Sequence, residues 1–302
     1  MAKRTVDGIL IVDKPLGMSS NHCLQAVRHL LNAAKAGHTG ALDPLASGVL
    51  PLCFGEATKV SQVLLDADKT YLATIRLGVE TATCDAAGEV LGEAPVPPLA
   101  RGELARVLRR FEGTQRQVAP VYSALKQGGV PQYKLARAGL PVAAKEREIT
   151  IHSLILHEWQ TPALQVEVRC SKGTYVRSLA RDIGAALGCG GHLSGLRRLA
   201  AGPFTLQESH TLEHLREVAA NAGEAEAALD ALLLPVDFAV STWPALHLGT
   251  ELGLRLWQGQ ALKVPGEPYG HVRLYSGTTF LGIGRHLPDG GFAELRLLRF
   301  PV

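Results

Sequence analysis

The stretch "GHTGALDPLASGVLP", residues 37–51, carries one acid, Asp43, and from Ala36 to Phe54 there is no Lys, Arg or Glu beside it. A carboxylate in such surroundings suits work as a nucleophile or a base. If it is buried and ionised, its counter-charge must arrive from elsewhere in the fold. Gly37, Gly40 and Gly48 permit backbone angles that other residues avoid, and Pro44 pushes Asp43 out of the helical region. Such a loop can fix an acid on a cleft wall. An Asp-Pro turn with no chemistry uses the same residues, so the spacing alone leaves both readings open.

A second stretch, "CSKGTYVRSLARDIG" (170–184), sets Tyr175 and Arg177 two apart, so that both face one cavity if the segment is still extended there. A guanidinium fork matches a carboxylate, which makes Arg177 a candidate partner for Asp43. A surface arginine beside a structural tyrosine is the competing description. Tyr71, at the head of "YLATIRLG", is either an amphipathic core ring or one that stacks on a nucleobase.

Other chemistries find no support. No His-x-x-x-His has a third ligand, His38 has no metal partner at useful spacing, and no metal is expected. Ser47 and Ser178 lack a His/Asp set, and phosphate loops of the GxGxxG or GKS type are absent. Cys23, Cys53, Cys84, Cys170 and Cys189 are scattered and odd in number, which predicts reduced thiols in a cytoplasmic protein.

These residues need elements to carry them. "GILIVDKP" (8–15) predicts a strand ended by Pro15, and Ser19 or Ser20 can cap a helix with Leu24, Val27, Leu30 and Leu31 on one face. Strands are predicted at 71–78, 149–156 and 164–170 from alternation. "ELARVLRRFEG" predicts an amphipathic helix stopped at Gly113, and "SLARDIGAALG" (178–188) one terminated by Gly188. The acidic, alanine-rich 207–230 segment reads as a helical edge. Residues 270–300 read as three strands joined by Ser-Gly and Asp-Gly turns.

A length of 302 residues with 46% apolar residues suggests a large domain plus a small one. The division predicted is 1–240 and 241–302. The longest apolar runs fall short of a membrane span, and the opening "MAKRTVDGILIVDKP" is too interrupted for a secretion signal. Net charge is only +3, but residues 101–198 hold sixteen Lys and Arg against seven Asp and Glu. Such segregation suits a phosphate-rich ligand.

Three motifs in order sharpen the reading: "DKPLGMSSN" with "AGHTGALDPLASGVLPLCFGEATK", then "YLATIRLG", then "CSKGTYVRSLARDIGAALGCGGHLSGLRRLA". Together with "VYSALKQGG" (121–129) they resemble the bacterial TruB-type tRNA pseudouridine synthases over residues 8 to about 205. The resemblance implies an α+β pseudouridine-synthase fold, with a mixed, largely antiparallel sheet flanked by helices. It also implies a small C-terminal β-barrel of the PUA-like, RNA-binding type. It makes Asp43 the catalytic aspartate, Tyr71 the ring packed on the target uracil and Arg177 the salt-bridge partner of the aspartate. Tyr175 and Leu196 would shape the pocket, and His38 would support RNA whose base has left the stack. Lys14, Asp85 and Lys126 also match the family pattern. Three departures stand out: Ser47 where the family often has Thr, Ala82 where an acid is common, and the whole of "GGVPQYKLARAGLPV".

Exchanging the N1 glycosidic bond of uridine for a C5 bond involves neither redox change nor net water, so no cofactor is expected. One carboxylate can serve at the sugar carbon, at the ring, or as a base at the ribose. The implied partner is the T arm of tRNA, with uridine 55 as target, a monomeric enzyme and no obligatory protein partner. The base must leave its stack, at a cost of a few kcal/mol. Three alternatives are weaker: a non-catalytic tRNA-binding or folding protein on this scaffold, a guide-RNA-dependent relative, and a hydrolytic glycosidase, which lacks its second acid.

Overall fold

The computed structural model describes residues 2–122, 125–221, 223 and 225–298. The chain opens with β1 (Gly8–Lys14), α1 (Ser20–Leu30), β2 (Ala36–His38), β3 (Ala46–Phe54) and α2 (Ser61–Asp66). Then come β4 (Lys69–Leu77), β5 (Val79–Thr81), β6 (Val90–Glu93), α3 (Arg101–Arg109) and β7 (Gly113–Val118). The middle continues with β8 (Lys126–Gln127), β9 (Val130–Pro131), α4 (Gln132–Arg137), β10 (Glu146–Gln160) and β11 (Ala163–Cys170). After α5 (Val176–Ala186) follow β12 (Gly191–Ala201), β13 (Phe204–Thr205), β14 (Ser209–Thr211), α6 (Leu212–Asn221) and α7 (Ala225–Asp230). The last elements are β15 (Ala245–Leu248), α8 (Thr250–Trp257), β16 (Gly270–Ser276), β17 (Thr279–His286) and β18 (Phe292–Leu297).

Two compact units result. The first is Met1–Asp43, Val49–Asp66 and Ala201–Val302; the second is Pro44–Gly48 and Ala67–Ala200. In the first, β1 lies between β14, which is parallel to it, and β3, on which β2 folds back antiparallel. Residues 8–12 of β1 are an unbroken apolar run because both faces of the strand are covered there. Leu10 and Val12 join α1, α6 and α7 in one core, while Ile9 and Ile11 join Phe204, Val240 and Leu64 in another. Ser19 caps α1 by accepting from the His22 amide, a contact of about 1 kcal/mol.

In the second unit β12, β4, β11, β10 and β7 follow one another, and residues 46–48 run parallel to β12. The sheet is therefore mixed and mostly antiparallel, as the resemblance implied. Ala73, Ile75 and Leu77 of β4 and Leu164, Val166 and Val168 of β11 meet Leu104 and Leu108 of α3 and Leu179 and Ile183 of α5. Period two on the strands and period four on the helices build this core.

The C-terminal strands form a four-stranded sheet, ordered β15-β16-β17-β18, with β15 parallel to β16. The three strands expected at 270–300 are β16, β17 and β18; β15 went unforeseen, and residues 299–302 lie outside the described residues. Ile283 and Phe280 of β17 pack into the same core as Ile9 and Phe204. Tyr275 donates its hydroxyl to Asp237 at 2.7 Å.

Two expectations need correction. Helix α3 ends at Arg109, four residues before Gly113, which instead opens β7 with φ +94°. Residues 37–51 are not all loop: from Ala46 onward they form β3, nearly all of it buried. Gly48 and Pro51 disguise that strand in the sequence. At Gly48 (φ +103°) a Cβ would overlap the backbone of Arg198 on β12, so the close approach of these strands requires glycine.

Candidate active site

The sequence-selected residues fall in both units. In the first are Lys14, His38 and Asp43. Lys14, fully buried at the end of β1, donates to the carbonyls of Pro15 (2.8 Å) and Met18 (2.6 Å), fastening the turn that leads into α1. Ser20, in the first turn of α1, then reaches residue 42. Its Oγ donates to the Leu42 carbonyl at 3.0 Å and accepts from the Leu42 amide at 2.7 Å. Both contacts are buried. They fix the residue before Asp43, which is itself exposed on the 39–45 loop. His38 is half-buried at the end of β2, opposite Leu52, and the Thr39 amide donates to the Pro51 carbonyl at 3.1 Å.

The second unit carries Tyr71, Asp85, Lys126, Tyr175, Arg177 and Leu196. Tyr71 is half-buried on β4, opposite Val168 of β11. Leu196 stands on β12 opposite Ala46, and it and the Tyr71 ring border the core formed by α5 and the strands. Lys126 is exposed on β8; Ser123 and Ala124 of the VYSALKQGG motif lie outside the described residues.

Arg177 is not on an extended segment. Helix α5 begins at Val176, two residues before the predicted start, which leaves Tyr175 extended (φ −97°, ψ 107°) and Arg177 in the first turn. Being two apart therefore does not place Tyr175 and Arg177 on one face. Arg177 is buried, with Nη1 3.4 Å from Asp85 Oδ2 and Nη2 donating to the Tyr122 carbonyl at 3.1 Å. Asp85 is buried too, and its Oδ1 accepts from Thr83 Oγ1 at 2.5 Å and from the Ala87 amide at 3.0 Å. Those donors are what make a buried carboxylate tolerable. Asp85 is thus tied to Arg177 by an ion pair that sequence matching could not supply.

Sequence reasoning also passed over Gln117 and Arg147. Gln117 sits on β7, almost wholly buried; its Oε1 accepts from the Tyr175 amide at 2.8 Å and its Nε2 donates to the Tyr175 carbonyl at 3.1 Å. Arg147 lies over the Tyr175 ring, 5.1 Å from its centroid. The readable signal was weak: a polar residue in a short strand, and one arginine among many.

Among the described residues, no three or more His, Cys, Asp or Glu gather as a metal centre would need, and no helix is long and apolar enough to cross a membrane. The five cysteines are free and buried. Burial pushes the Cys23 and Cys170 thiols up to about 11 and Cys53 up to about 12, so these sulfurs are poor nucleophiles near neutrality.

Residues 28–176 match the N-terminal domain model described as TruB family pseudouridylate synthase. Residues 177–241 match a tRNA pseudouridylate synthase B C-terminal domain, and residues 244–298 a pseudouridine synthase II TruB C-terminal model. The chain belongs to the TruB family of pseudouridylate synthases. It is 51% identical over 299 residues to the tRNA pseudouridine synthase B of Pseudomonas paraeruginosa (strain DSM 24068 / PA7), covering 98% of this chain and 97% of that one. The protein of the same name from Azoarcus sp. (strain BH72) is 51% identical over 282 residues, covering 93% and 92%. Among solved structures, a chain in a Cbf5-Nop10-Gar1 complex is 27% identical with a TM-score of 0.74, covering 94% of this chain and 79% of that one. A chain in an H/ACA RNP bound to a substrate RNA containing 2'-deoxyuridine is 25% identical with a TM-score of 0.76, covering 97% and 85%. Pseudouridine-synthase fold and isomerase class, both expected from the motifs, follow from these matches.

Proposed function

We propose that this chain isomerises uridine to pseudouridine in the T loop of tRNA, at position 55, acting as a monomeric cytoplasmic enzyme without a guide RNA. The observation that carries the substrate is the 51% identity over nearly the full chain with proteins named tRNA pseudouridine synthase B. Likeness to the chains in the Cbf5-Nop10-Gar1 complex and the H/ACA RNP is about half as strong in sequence, at 25–27% identity. Residues 1–240 would carry the chemistry and 241–302 a PUA-like RNA-binding module.

In this reading Asp43 supplies the carboxylate, as nucleophile at the sugar or ring carbon or as base at the ribose. The glycosidic bond to N1 breaks, the uracil turns, C5 bonds to the same sugar carbon, and as the C5 proton departs N1 takes up a proton. Every atom of the substrate reappears in the product. Tyr71 packs on the released base and Arg177 balances charge at the site; Tyr175 and Leu196 shape the pocket. His38 supports the RNA once the base is out, with Lys14, Lys126 and Asp85 in supporting positions. Asp85 already holds Arg177, so its contribution is to fix the guanidinium.

The test is a base-resolved pseudouridine map of an unmodified tRNA transcript incubated with the purified chain alone. Conversion confined to uridine 55 is the expected result. Conversion only with an added guide RNA, or none at all, overturns the proposal.

A further inference from the structure

Gln117 and Arg147 stand directly opposite each other in the antiparallel register of β7 and β10, so their side chains emerge on one face of the sheet edge. Both reach the same short segment. Arg147 donates from Nη1 to the Gly173 carbonyl at 3.0 Å and lays its guanidinium over the Tyr175 ring. Gln117 takes both main-chain groups of Tyr175. A carboxamide is suited to this because it offers a donor and an acceptor on one planar group.

The segment is shaped to receive them. Gly173 has φ +81°, and a Cβ there would come within 2.9 Å of Arg147 Nη1. Tyr175 precedes α5 and cannot cap it with its own side chain; the buried carboxamide of Gln117 occupies its main chain instead. Two further contacts from the same stretch reach the first turn of α5, where Ser178 Oγ donates to the Val118 carbonyl at 2.8 Å and Arg177 to that of Tyr122.

We propose that Gln117 and Arg147 act together as a positioning clamp that sets the angle of the Tyr175 ring and, through the first turn of α5, the place of Arg177. The clamp rests on the function proposed above, since it is the pocket of that reaction that it would shape. Neither residue need touch RNA. Arg147 could instead meet a backbone phosphate, and the experiment separates the two.

The purified full chain and the variants Gln117→Ala, Gln117→Glu and Arg147→Lys are compared on unmodified tRNA transcript under single-turnover conditions, with melting curves as a check on folding. Lysine keeps the charge but loses the planar fork. The clamp predicts that Gln117→Ala and Arg147→Lys each slow the step at saturating enzyme by about tenfold or more, because small misplacements are costly in rate. The Kd for tRNA stays within about threefold, and its salt dependence is unchanged. The double variant is no slower than the worse single one, since both act on one ring. Gln117→Glu regains rate as pH falls, because a protonated carboxyl again offers both a donor and an acceptor. Rates equal to wild type overturn the clamp. So does a loss that appears as weaker tRNA binding with a shallower salt dependence, which makes Arg147 a phosphate contact. Should Gln117→Ala fail to fold, Gln117→Glu and Arg147→Lys carry the same test. Inactive wild type sinks the functional reading, whereas active wild type with equally active variants sinks the clamp alone.

Discussion

The loop that carries Asp43 and the strand–helix junction that carries Tyr175 are held by the same device. In each, one buried side chain grips both main-chain groups of a single residue: Ser20 that of Leu42, Gln117 that of Tyr175. The surroundings differ. The Asp43 hairpin has no other charged side chain between Ala36 and Phe54, and its β3 arm depends on the bare backbone of Gly48. The Tyr175 junction is crowded with charge, with Arg147 on the ring and Arg177 on Asp85. The first carries no Lys, Arg or Glu in its own sequence, and its weak point is steric. The second is a polar network, and its weak points are the partners themselves.

Substitutions can break this contrast. Gly48→Ala combines backbone overlap with a left-handed φ and should cost about 4 kcal/mol or more in chemical unfolding. A near-neutral result would mean that β3 and β12 can separate freely. Asp85→Ala removes a buried carboxylate 3.4 Å from the Arg177 guanidinium and should cost about 3 kcal/mol; a double-mutant cycle with Arg177 reads the coupling. Ser20→Ala strands the amide and carbonyl of Leu42 and should cost about 2 kcal/mol, with activity falling alongside. If stability drops and activity per folded molecule does not, the loop before Asp43 needs no such anchor.

The smallest effect is one of pH. Burial, aided by the neighbouring His214, holds the His210 imidazole below its ordinary value; the two rings stack 5.4 Å apart. A histidine depressed in the folded state stays neutral while the unfolded chain takes up a proton. Stability should therefore decline as pH falls through the ordinary histidine range near about 6.5 toward the depressed value. His210→Gln should flatten that decline in pH-dependent melting, and an unchanged profile would contradict it.

Much of this was legible in the chain. β1, β4 and β11 declare themselves by apolar runs or alternation, and Gly188 ends α5's turn with φ +77°. β3 and β12 did not, because Gly48, Pro51, Gly191 and Gly195 interrupt both patterns, and pairing between strands distant in sequence overrides local propensity. The motifs named Asp43, Tyr71 and Arg177, yet they could not reveal that Arg177 lies in the first turn of a helix or that Asp85 forms an ion pair with it. Gln117 was invisible for a similar reason: its role exists only once β7 lies against residue 175.

The central claim is that a single carboxylate, Asp43, performs the isomerisation. Measuring conversion and tRNA affinity side by side for wild type and Asp43→Asn tests it most directly. The account predicts unchanged binding with conversion lower by at least about a thousandfold. An amide variant that forms pseudouridine at close to the wild-type rate would contradict it.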